Sequence, residues 1–167
     1  MKLASLYIGT VLCGAGVLAA ADPTAWSKTS WGMSDAEIRA ALEPGQVRDV
    51  AERLRVGDKV EPARVGIPKI SIAGTDFRVY FLTDPGGLHQ ISLQPIDKAD
   101  ATDAVFHSLE AALTLKYGTP FSRAGETSLA QWKTSTSVIR LEFVALKNVP
   151  FKSLWLIYIP VPKSDML

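Results

Sequence analysis

The sequence predicts an α+β fold of two α-β-β-β halves, with helices packed on one face of a mostly antiparallel sheet. Three observations carry this expectation. Apolar residues recur at helical spacing in residues 34–42 and 102–117, each time between clear start and stop signals. After each of these segments the chain alternates apolar and polar residues, as half-buried strands do. Short runs of turn residues separate the alternating stretches, which favours hairpins over long crossovers.

The first helix starts at a capping box. Ser34 is a good N-cap and Glu37 stands three residues on. Met33 and Ile38 occupy the positions of a hydrophobic staple, and Ile38, Ala41 and Leu42 supply the apolar stripe. Glu43-Pro44-Gly45 ends it, because proline removes a donor and glycine permits a reversal. Val47, Val50, Ala51 and Leu54 then fall at i, i+3, i+4 and i+7, which predicts a second short helix ending at Gly57. Residues 58–65 are polar, contain Pro62 and read as a loop.

Ile70 and Ile72 open the first alternating run. Phe77, Val79 and Phe81 follow, with Arg78, Tyr80 and Leu82 on the opposite side. Asp84-Pro85-Gly86-Gly87 is a turn, and His89, Ile91 and Leu93 continue beyond it. In the long helix Phe106, Leu109, Leu113 and Tyr117 share a face; Gly118 and Pro120 stop it. Strands return at 129–132 and 138–144. Residues 154–159 are so uniformly apolar that they predict a strand buried on both faces, closed by Pro160 and Pro162.

Residues 1–21 read as an export signal. Met1-Lys2 gives a positive start, residues 3–21 carry no charge, and Ala19-Ala20-Ala21 before Asp22-Pro23 is a small-x-small cleavage site. The alternatives are retention as an anchor, weakened by Gly9, Gly14 and Gly16, and lipid attachment at Cys13, disfavoured by the bulky Leu12 before it. The expected organisation is a signal over 1–21, an extended lead-in over 22–32 whose tryptophans dock on the domain, and a single α+β domain over 33–162.

Cleavage after Ala21 would leave 167 − 21 = 146 residues, enough for one well-packed domain. It would also remove Cys13, the only cysteine, so packing alone must hold the fold. Removing Lys2 leaves 18 − 1 = 17 basic against 17 acidic residues. Such neutrality argues against nucleic acid as a partner. No later segment has the length and apolarity of a transmembrane helix. The expected location is therefore periplasmic or secreted.

Catalytic motifs are absent from this sequence. Its two histidines, His89 and His107, belong to no zinc motif, and no metal or cofactor is expected. His107 with Glu110 at i+3 reads as a solvated helix face, and His89 as a sheet-edge or partly buried side chain. Asp97, Asp100 and Asp103 complement a helix start rather than form a calcium loop. Arg123, Lys133, Arg140 and Lys147 could make a basic patch, but Glu126 and Glu142 interrupt it. Tryptophan and tyrosine remain as interface material. Trp26, Tyr80, Trp132 and Tyr158 are the candidate binding residues, while Trp155, inside its apolar run, reads as core.

Trp31-Gly32-Met33-Ser34, Lys116-Tyr117-Gly118-Thr119-Pro120, and Trp132 ahead of Ile139 and Leu141 form a recurrent set of signposts. Together they resemble a loose group of small exported bacterial proteins. That group is similar in architecture to β-lactamase inhibitor protein and to the small outer-membrane assembly lipoproteins. The resemblance implies helices on an antiparallel sheet. It carries over no functional residues, and the chain departs from the lipoproteins by lacking a convincing lipid-modified cysteine. The expected function is an exported, non-enzymatic protein-binding or inhibitor-like module whose partner is another envelope or secreted protein. The alternatives are an exported hydrolase or small-molecule binder with a dispersed site, and an immunity protein against an envelope-targeted toxin.

Overall fold

A computed structural model of the chain describes residues 26–124, 128–146 and 148–162. Residues 1–21, the expected export signal, and residues 22–25 lie outside the described residues. The architecture is α+β. Helix α1 (Asp35–Ala41) precedes strands β1 (Arg48–Val56), β2 (Lys59–Ile72), β3 (Thr75–Asp84) and β4 (Gly87–Pro95). Helix α2 (Asp103–Tyr117) precedes β5 (Ser122–Ala124), β6 (Ser128–Lys133), β7 (Ser137–Ala145) and β8 (Lys152–Pro160). All eight strands form one sheet in the order β1-β2-β3-β4-β8-β7-β6-β5, with every neighbouring pair antiparallel. Among the described residues no helix is long and apolar enough to cross a membrane.

Local chemistry sets the helix ends. The Ser34 hydroxyl accepts from Glu37 N, and the Glu37 carboxylate accepts from Ser34 N at 2.8 Å, closing the capping box. Thr102 caps α2 by accepting from Val105 N at 3.2 Å. Gly118, with φ at +84°, ends α2 in a conformation that side chains resist.

Two expectations fail at the first hairpin. Residues 47–54 were expected to form a helix and are mostly strand β1; the expected loop at 58–65 is mostly strand β2. The helical spacing of Val47, Val50, Ala51 and Leu54 arises because a register shift between Asp49 and Glu52 breaks the strand's alternation. Pro62 fits strand β2 because the strand pairs there with β1 alone, its pairing with β3 beginning at Val65. With β1 after α1 and the short β5 after α2, each helix is followed by four strands, not three.

Cross-strand pairing aligns one continuous apolar face. Phe81 faces Ile91, Ile91 faces Tyr158, Tyr158 faces Ile139 and Ile139 faces Trp132. Val79, Leu93, Leu156, Leu141 and Ala130 make the next row. Ile38 and Leu42 of α1, and Phe106, Leu109 and Leu113 of α2, are buried in the same cluster. Each such large apolar side chain contributes about 1.5–3 kcal/mol through burial.

The lead-in adds to this core. Trp26 lies 6.2 Å from Phe81, ring centroid to ring centroid, and the Trp31 indole donates to Thr136 O at 3.1 Å. Gly32 N donates to Leu88 O at 2.9 Å, and Leu88 N to Met33 O at 2.8 Å, so this segment is laced to the start of β4.

Candidate functional site around Trp155

The second face of the sheet is the less occupied one. Its rows follow from the same register: Tyr80, Ser92, Ile157, Arg140 and Gln131 in one, and Trp155, Glu142 and Leu129 in the next. Part of this face is covered by the β1–β2 hairpin itself. Leu54 and Ala63 from that hairpin pack with Tyr80 and Leu82 of β3, and Val56 and Trp155 join the same cluster. In a flat sheet β1 and β8 would stand roughly 19 Å apart, four steps of ~4.8 Å. Arg55 and Gly57 of the hairpin nonetheless line one depression with Ile157 of β8 and Arg140 of β7, so the hairpin turns back over the sheet. A contact that skips a strand is consistent with the same turn: Glu61 Oε2 of β2 lies 3.1 Å from His89 Nε2 of β4.

The hairpin stops short of closing the face, and a groove remains around Trp155. On one side is a depression of about 390 Å³ lined by Arg55 and Gly57 at the hairpin tip and by Arg140, Glu142, Val144 and Ile157 of the sheet. On the other is one of about 600 Å³ that includes Gln94, Lys98 and Lys152. Phe151, Ser153 and Trp155 belong to both. These volumes fall in the ordinary range of ligand and peptide clefts.

The adjoining β7–β8 connection, which reaches the groove at Phe151, is apolar as well. Leu146, Val149 and Phe151 of the β7–β8 connection are exposed by 52%, 51% and 51%. Three half-exposed large apolar side chains in one tight connection exceed what scattered surface hydrophobics explain.

Polar donors in the groove are incompletely matched. Arg140 Nη2 donates to Glu142 Oε2 at 2.9 Å, but Arg140 Nε is buried without a hydrogen-bond partner. Leaving such a donor unmade costs about 1–3 kcal/mol. Arg55 Nε donates to Gly57 O at 3.1 Å, which orients its guanidinium at the groove's edge.

The structure places the expected binding residues differently. Tyr80, Trp132 and Tyr158 are buried. Tyr80 lies beneath the hairpin, where its hydroxyl accepts from Arg78 Nη1 at 3.3 Å and helps hold the Arg78 pKa above its ordinary value. Trp132 donates its indole N–H to Gly118 O at 2.9 Å, tying β6 to the end of α2. Burial pushes the Tyr158 phenol well above the ordinary tyrosine range, with neighbouring Tyr117 adding to the shift. None of these three presents a ring to solvent. Trp26 is half-buried beside Phe81, packed on the same core cluster that holds Trp132 and Tyr158.

Trp155 moves the opposite way. Strand β8 is not buried on both faces: Leu154, Leu156 and Tyr158 point into the core, while Trp155, Ile157 and Ile159 are only partly covered. Phe151, Arg55, Lys98 and Lys152, which also line the groove, carry no motif in the sequence. The visible signal for Phe151 was a connection, residues 146–151, holding three large apolar side chains where turns are usually polar.

The remaining candidates resolve into local structure. His107 Nε2 lies 3.2 Å from Asp103 and its Nδ1 3.4 Å from Glu110, on an open face of α2. Asp97 accepts from Ala99 N at 2.8 Å as the cap of a short 3-10 helix. Among the described residues no three His, Cys, Asp or Glu side chains are grouped to hold a metal. Lys133 and Arg140 lie on β6 and β7, whereas Glu126, Lys147 and the side chain of Arg123 are outside what is described. A depression of about 640 Å³ beside Asp35 and Asp84 is internally satisfied: Asp35 accepts from Thr83 Oγ1 and Asp84 from Gly86 N, both at 2.7 Å. Comparison of the chain with protein-family models, with curated proteins and with solved structures gave no match.

Proposed function

We propose that this is an exported, non-enzymatic protein-binding or inhibitor-like module of the bacterial envelope, released by cleavage of the signal at residues 1–21 and acting in the periplasm or outside the cell. In this reading each helix and its strands form one of two equivalent halves. The helices cover one sheet face, as in domains of the β-lactamase-inhibitor-protein kind, and the other face is left to a partner. The observation that carries the proposal is the exposed apolar connection at Leu146, Val149 and Phe151 next to the partly covered Trp155. Aromatic side chains in a concave, partly desolvated setting are what interface hot spots are made of.

Photo-cross-linking in the living cell tests this. A photoreactive side chain at position 151 is expected to give one discrete adduct. The same group at Leu115, which is 90% exposed on α2, is expected to give none. No adduct at 151, or equal adducts at both positions, would contradict the reading.

A further inference from the structure

We infer, resting on the reading of this face as a partner site, that the partner supplies an extended acidic segment carrying one large apolar or aromatic anchor. The charge around Trp155 differs from that of the whole chain. Formal net charge overall is +1. The two depressions are lined by Arg55, Arg140, Lys98 and Lys152 against the single carboxylate of Glu142, which gives 4 − 1 = +3. Asp97 lies next to Lys98 but is engaged as a helix cap. Glu142 is engaged too, by Arg140.

The distribution of the cations matters as much as their number. Arg55 and Arg140 stand on one side of the Trp155–Phe151 ridge, and Lys98 and Lys152 on the other. A chain lying across the ridge would meet positive charge before and after an apolar centre. The Arg140 guanidinium is partly exposed beside the groove, and a carboxylate is the group that pairs with it most strongly. A flat lipid surface would reach the apolar tip at Phe151 but not the concave floor, so the groove favours a peptide over an anionic membrane.

Fluorescence anisotropy on the exported protein, residues 22–167, tests the inference with four probes. These are a labelled peptide of aspartates and glutamates around a central phenylalanine, the same peptide with serine at the centre, the same with lysines for the acids, and vesicles containing phosphatidylglycerol. The acidic aromatic peptide is expected to bind, more weakly as salt rises. The other two peptides should bind at least about tenfold more weakly. The double variant Lys98→Glu, Lys152→Glu should lose about tenfold in affinity for the first peptide. Both lysines are exposed, so its unfolding midpoint should not change. Equal binding of the serine or lysine peptide, no peptide binding, or binding to vesicles alone would overturn the inference. If position 151 still captures a partner while the acidic peptide fails, the partner reading stands and the acidic chemistry falls.

Discussion

Val50 of β1 lies directly over Gly66 of β2. A Cβ on residue 66 would stand 3.2 Å from Val50 Cγ1 and 2.5 Å from the carbonyl oxygen of Val79. Register shifts occur on both sides of this point, between Asp49 and Glu52 and between Ile67 and Ile70. Glycine therefore marks where the first hairpin bends back over the sheet. Gly66→Ala is expected to destabilise the fold by about 1–3 kcal/mol, since the crowding atom is backbone and cannot rotate away. Urea denaturation measures it, and an unchanged midpoint would show that the bend does not depend on this contact.

Gly87 tests the attachment of the lead-in. Its φ is +92°, and a Cβ there would run into the backbone of Gly32. Gly87→Ala combines a strained backbone conformation, about 1–3 kcal/mol, with that collision. Thermal unfolding should drop, and the amides of Gly32 and Leu88, which donate across this contact, should lose protection from hydrogen exchange. Retained protection would contradict the assignment.

Two tryptophans should separate stability from binding. Trp132 is fully buried and hydrogen-bonded to Gly118, so Trp132→Ala is expected to cost about 3–5 kcal/mol. Trp155 is partly covered, and Trp155→Ala should cost only about 1 kcal/mol. The second variant should nonetheless abolish the adduct at position 151. If both cost the same in chemical denaturation, the division of roles is wrong.

The pH dependence has two limbs. Lys69, and then Ser71, hold the Asp76 carboxyl below its ordinary value; the backbone and hydroxyl of Ser34 do so for Glu37. A depressed folded pKa gives stability that is present above the unfolded value and lost as pH falls through the folded one. Asp76→Asn and Glu37→Gln should therefore flatten the acid limb, below about pH 4. Tyr158 works in the opposite direction. Its raised pKa gives stability that is complete below the ordinary tyrosine value of about 10 and lost as pH rises towards the folded value. Phenolate absorbance of Tyr158 should appear only with unfolding, and Tyr158→Phe should remove that component.

Much of the fold was legible because local signals and tertiary structure agree. The Ser34–Glu37 box, the α2 stripe and the alternation at Phe77, Val79 and Phe81 each name their element. The first hairpin was not legible. Its bulge imitates helical spacing, and of the nine β1 residues only Leu54 is buried, so a strand period never shows. The site was hidden for a related reason. Trp155 and Ile157 are as apolar as their core neighbours, and only the incomplete cover given by a folded-back hairpin distinguishes the two faces of β8. Composition cannot reveal that, because it depends on where residues distant in the sequence come to rest.

The four tryptophan indole N–H resonances report most directly on whether the Trp155 face is a partner surface. On titration with the protein captured at position 151, the Trp155 resonance should shift and broaden to saturation, while that of Trp132, held by Gly118, stays in place. A Trp155 resonance that does not move when the partner is fully bound would contradict the account.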